Sequence, residues 1–96
     1  MGSIVILWLK AANRNLDEIA AFIANDNPSA AQSVVRRVRS TVELLSEHPS
    51  LGRISAVPGA RELVIRDTSC IVVYRSHKGV LEILRVYHKA QKRRSI

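Results

Sequence analysis

The 96-residue chain has a single cysteine, Cys70, which excludes an internal disulfide and suits a reducing compartment. Followed by Ile71, Val72 and Val73, its thiol reads as a small buried hydrophobe rather than a nucleophile. His48, His77 and His88 are scattered, so neither a zinc knuckle nor a helical histidine pair can form, and no metal is expected. A glycine-rich phosphate loop and a serine elbow are both missing, which removes the usual nucleotide-binding and hydrolase readings and leaves no cofactor expected. Long apolar runs are lacking too. IVILWL (Ile4 to Leu9) falls short of the about 7–15 apolar residues of a signal-peptide core and the about 20 of a membrane span. The expectation is a soluble, cytoplasmic protein with no membrane partner.

Acidic residues are scarce in one half only. Met1 to His48 carries five basic and five acidic residues, whereas Pro49 to Ile96 carries ten basic and three acidic, so the whole net charge of +7 belongs to the second half. Uncompensated cations repel one another, and a fold alone gains nothing from clustering them; the second half is built to meet something anionic. With 47% hydrophobic and 24% charged residues the chain is globular. At this length it forms one domain, residues 1–96, burying about two-thirds of the surface that the unfolded chain exposes.

The compact β-branched run at Ile4 to Leu9 predicts a buried strand. Leu16, Ile19, Ala20 and Ile23 then recur at helical spacing, with Asp17 and Glu18 placed to favour the N-terminal dipole. Asn25-Asp26-Asn27-Pro28 breaks that helix and starts another, Asn27 capping it and Pro28 occupying its first position. The second stripe is Ala31, Val34, Val35, Val38, Val42 and Leu45, with Arg36, Arg37, Arg39, Glu43 and Glu47 pointing elsewhere, and the short connection makes the two helices a hairpin. Beyond the loop marked by Pro49, Gly52, Pro58 and Gly59, three strands are predicted at Arg61 to Arg66, Cys70 to Arg75 and Val80 to His88. The fold class is α+β: an N-terminal strand and an antiparallel helical hairpin packed on a small, mainly antiparallel sheet, in the order β-α-α-β-β-β.

Symmetric pairing across Asp67-Thr68-Ser69 and His77-Lys78-Gly79 puts Leu63, Ile65, Ile71, Val73, Leu81 and Ile83 on the helix-facing side. The other side then collects Glu62, Val64, Arg66, Val72, Tyr74, Glu82, Leu84, Val86 and His88. A one-residue slip in either loop exchanges the faces. On this reading Val64, Val72, Leu84 and Val86 form an exposed apolar strip of the kind that marks an interaction site. The basic set is Arg61, Arg66, Arg75 and Arg85 with Tyr87, His88 and the tail residues Lys89, Lys92, Arg93 and Arg94; the tail is expected to be mobile from about Gln91. Such a set can bind phosphate, or can cleave RNA by activating a ribose 2′-hydroxyl and stabilising the pentacoordinate phosphate.

The ordered series WLKAANRNLDEIAAFIANDNPSAA, EHPSLGR, RELVIR, IVVYR and ILRVYHKAQ, which spans nearly the whole chain, resembles the ParE branch of the RelE/ParE superfamily of bacterial toxins. The resemblance implies a toxin of a type II toxin–antitoxin pair that poisons DNA gyrase and forms a hetero-oligomer with a cognate antitoxin. It implies an acidic antitoxin segment covering Val64, Val72, Leu84 and Val86 and pairing with Arg66, Arg75 or Arg85, which leaves Arg61, Tyr87, His88, Lys89, Lys92, Arg93 and Arg94 for the target. The RelE-like branch instead cuts messenger RNA on the ribosome. Its basic catalytic positions fall on Glu62, Val64 and Ile71 here, and one carboxylate with two aliphatic groups cannot stabilise a phosphorane. A ribonuclease would then have to use His88 as general acid and Arg85 as phosphate clamp. The third reading is an inactive toxin homologue, or an inert or regulatory sheet module whose basic rim binds DNA non-specifically.

Overall fold

In the computed structural model, which describes residues 4–89, strand β1 (Val5–Trp8) runs directly into helix α1 (Lys10–Ala24). Because α1 begins this early, Asp17 and Glu18 sit mid-helix and its first turn holds no acidic residue, unlike the expectation from sequence. Helix α2 (Pro28–Glu43) starts as predicted: the Asn27 side-chain oxygen accepts from the Ala30 N–H at 3.1 Å, and Pro28 opens the first turn. A single 3₁₀ turn, Leu44–Ser46, extends the helix and carries Leu45 into the core.

Four further strands follow: β2 (Arg53–Ile54), β3 (Arg61–Val64), β4 (Cys70–His77) and β5 (Val80–His88). They form one five-stranded sheet in the order β1-β5-β4-β3-β2, with β1 parallel to β5 and every other pair antiparallel. The α+β class and the helical hairpin are as the sequence predicts. Two elements differ: β2 was not anticipated, and β1 is a half-exposed edge strand, with Val5 63% and Leu7 48% exposed, rather than a buried one. No described helix is long and apolar enough to cross a membrane.

Register decides which side chains meet the helices. Lys78 and Gly79 both have positive φ, 49° and 79°, the geometry of a two-residue type I′ hairpin, so His77 pairs with Val80. On the other side of β4, Asp67 takes φ 62°, the Ile65 N–H donates to the Cys70 carbonyl, and Leu63 pairs with Val72. Each loop thus slips by one residue from symmetric pairing, and β4 turns over: Cys70, Val72 and Tyr74 face the helices while Ile71 and Val73 face away. A bulge adds a second correction. Val73 pairs with Arg85 but Tyr74 with Ile83, leaving Leu84 as the extra residue and bringing Val86 into line with Leu81 and Ile83.

The core therefore joins Ala12, Leu16 and Ile19 of α1 and Val38 and Val42 of α2 to Leu63, Val72, Tyr74, Leu81, Ile83 and Val86 of the sheet. Val72 and Val86, expected on an exposed strip, are 0% and 1% exposed. Tyr74 is buried too, and its hydroxyl accepts from the Gly52 N–H and donates to the Pro49 carbonyl, both at 2.8 Å, tying the long loop to the sheet. A Cβ at Gly52 would stand 2.7 Å from the Glu62 carbonyl oxygen and 2.8 Å from the tyrosine ring, so this position accepts glycine alone. Where β1 gives way to α1, the Asn15 side chain accepts from the Val86 N–H at 3.1 Å and satisfies a strand amide.

Candidate partner and target surfaces

The sheet face turned away from the helices carries rows of cross-strand neighbours. Val64, Ile71 and Tyr87 form one row, Glu62, Val73 and Arg85 the next, and Arg75 with Glu82 the third. The three positions at which the ribonuclease resemblance calls for cations, Glu62, Val64 and Ile71, thus lie together on this face as a carboxylate and two aliphatic groups. Glu62 pairs with Arg53 at 3.2 Å, and Glu82 holds Arg75 at 2.8 Å. Surface pairs of this kind contribute at most about 1 kcal/mol, so they restrain these arginines without removing them from a partner's reach. Arg85 is exposed and makes no ion pair among the described residues.

Arg85 and His88 do not converge. Arg85 lies opposite Val73 on the outer face, whereas His88 lies opposite Cys70 on the helix side, its ring edge-on to Phe22 of α1 with centroids 6.1 Å apart. Arg61 has a structural contact as well, donating to the Gly52 carbonyl at 2.8 Å. Lys89 is exposed at the end of β5, while Lys92, Arg93 and Arg94, with the tail from about Gln91, lie outside the described residues. Burial raises the Cys70 thiol above its ordinary pKa, only partly offset by a hydrogen bond to Thr68, which agrees with an inert core cysteine. Among the described residues no group of three or more histidine, cysteine, aspartate or glutamate side chains could hold a metal ion.

The helical hairpin and the β2–β3 edge each border a groove that the sequence does not predict. One, of about 570 Å³, lies between the helices, floored by Ala20, Ala21, Ala24, Ala31 and Val35 and rimmed by Arg36, Arg39 and Glu43. The alanines of AAFIA were the available signal: small side chains leave a trough where larger ones would have closed the hairpin. Arg39, over the Trp8 ring at 4.8 Å, is held at the rim by a cation–π contact. The other groove, of about 500 Å³, runs between the α2 end and the β2–β3 edge; it joins Val64 and Arg66, both expected antitoxin contacts, to Arg53, Leu44 and Leu51.

The fold agrees with the comparisons to known proteins. Residues 6–93 match the ParE toxin of type II toxin–antitoxin system, parDE. Y4kP of Sinorhizobium fredii is 44% identical over 86 residues, covering 90% of this chain and 88% of that protein. Toxin RelE2 of Caulobacter vibrioides is 31% identical over 86 residues, covering 90% and 96%. Among solved structures, a chain of the chromosomal ParDE toxin–antitoxin system from P. aeruginosa superposes with a TM-score of 0.80 at 25% identity, covering 90% of this chain and 96% of that one. The chain belongs to the ParE toxin family of type II toxin–antitoxin systems.

Proposed function

We propose that this toxin arrests growth by binding and poisoning DNA gyrase, and that a cognate antitoxin silences it by laying an amphipathic helix in the alanine-floored groove between α1 and α2. The observation that carries the target assignment is the outer sheet face. Stabilising a pentacoordinate phosphate needs preorganised cations or donors around the reacting group. Here Glu62, Val64 and Ile71 supply none, and the one remaining acid–clamp pair, His88 and Arg85, is divided between two faces of the sheet. A protein that acts by docking needs only a complementary surface, and the exposed Val64 and Arg85 with the half-buried Tyr87 offer one. For the antitoxin, the groove has an apolar floor of alanines and Val35, and Arg36 and Arg39 on its rim suit an acidic helix.

Purified toxin tested in parallel on gyrase supercoiling and on in vitro translation separates the mechanisms. The expected result is inhibited supercoiling with accumulation of cleaved DNA, intact messenger RNA, and little change on His88→Ala. Messenger cleavage that falls by about 10²–10⁴-fold in His88→Ala, the range of a positioned proton donor, would reverse the assignment.

A further inference from the structure

The two edges of the sheet are guarded differently. The β2 edge is two residues long and carries the charge of Arg53, which discourages pairing with another strand. The β1 edge has no such device: from Ile4 to Leu9 it holds neither a charge nor a proline. The Val5 N–H donates to the Gly79 carbonyl and the Leu9 N–H to the Ile83 carbonyl, each at 3.1 Å. These bonds set the parity of the ladder, so the amide and carbonyl groups of Ile6 and Trp8 point to the open side. No described strand pairs with them there.

A strand added at this edge would find two different flanks. On the outer face lie the exposed side chains of Val5 and Leu7. On the helix side, Ile4 and Ile6 form one wall of a groove of about 560 Å³ whose other wall is Leu44, Glu43, Glu47 and His48. Neither glutamate forms an ion pair among the described residues, although the chain as a whole carries +7. At this end of β1, away from the Arg39 guanidinium over Trp8, that local sign selects the occupant. The uncharged β1 of a second copy would leave both carboxylates unmatched and bring two acidic grooves together, and an acidic segment would be repelled.

We propose that β1 is a docking edge for an extended segment of a partner protein, paired main chain to main chain, with apolar side chains along Val5 and Leu7 and a lysine or arginine in the groove beside Glu43 and Glu47. This does not depend on the choice between gyrase and ribosome. Labelled short peptides of alternating valine and lysine, valine and glutamine, or valine and glutamate, titrated against the intact toxin by fluorescence anisotropy, provide the test. The lysine peptide should bind about tenfold more tightly than the glutamate peptide at low salt, with the glutamine peptide between them, and the preference should shrink as salt rises. Combining Glu43→Gln with Glu47→Gln should remove the preference, and N-methylating the peptide amides that face β1 should abolish binding of the lysine peptide to the unaltered toxin. Equal affinity for all three peptides, or binding indifferent to N-methylation, would sink the proposal. So would concentration-dependent dimerisation abolished by Ile6→Lys, which would assign the edge to a second copy.

Discussion

Tyr74 and Gly52 show how much of the loop depends on two side-chain positions. Tyr74→Phe keeps the ring but leaves the Gly52 N–H and the Pro49 carbonyl without their partner, and should lower the unfolding free energy by about 1–3 kcal/mol. Gly52→Ala should cost at least as much, because its Cβ meets a strand carbonyl that cannot swing away; urea denaturation of both variants measures this. Cys70 makes a prediction of opposite character. Its folded-state pKa is raised by burial, so the native state retains a proton that the unfolded chain loses as pH rises past about 8.5. Stability from this group is therefore fully present below that pH and declines above it, and the decline should be absent in Cys70→Ala. The inertness of Cys70 was legible from its neighbours alone. The role of Tyr74 was not, since its contacts lie more than twenty residues away in a loop without periodicity.

Among elements, the helices were readable and the sheet faces were not. Asn27, Pro28 and the stripe from Ala31 to Leu45 each carry a local signal, and the structure uses every one of them. Strand faces depend instead on turn geometry. Lys78-Gly79 closes in two residues and Leu84 bulges, and neither is apparent in a run such as VLEILRVYH, where both faces are apolar enough to serve as core. Deleting Leu84 should consequently leave Arg85 opposite Val73 and Val86 in the core, whereas inserting one alanine between Arg85 and Val86 should turn Val86 outward and cost about 1.5–3 kcal/mol for its lost burial, seen as a lowered melting temperature. The α1–α2 groove supports a different test. Ala24→Arg fills its floor and leaves the sheet untouched, so affinity for the cognate antitoxin should fall by about tenfold or more while toxicity in the absence of antitoxin is kept. A variant still neutralised as well as the parent would remove the helical groove from the antitoxin interface.

For the molecule as a whole, charge and topology act at different stages of its life. Of the surfaces expected from sequence, Val64 and Arg66 share a groove and Arg85 is exposed, but Val72 and Val86 belong to the interior. Those two were misplaced for different reasons: the slip in the loop turned β4 over and took Val72 inward, and the bulge at Leu84 broke the alternation of β5 and took Val86 inward. Topology has its consequence in time. β1 pairs only with β5, the first described strand with the last, so during synthesis it leaves the ribosome with no sheet partner and must wait for nearly all the rest. Contacts so distant in sequence make for slow closure. A growing chain accordingly cannot complete its sheet before β5 has been made, and the finished fold exists only once that last described strand is in place.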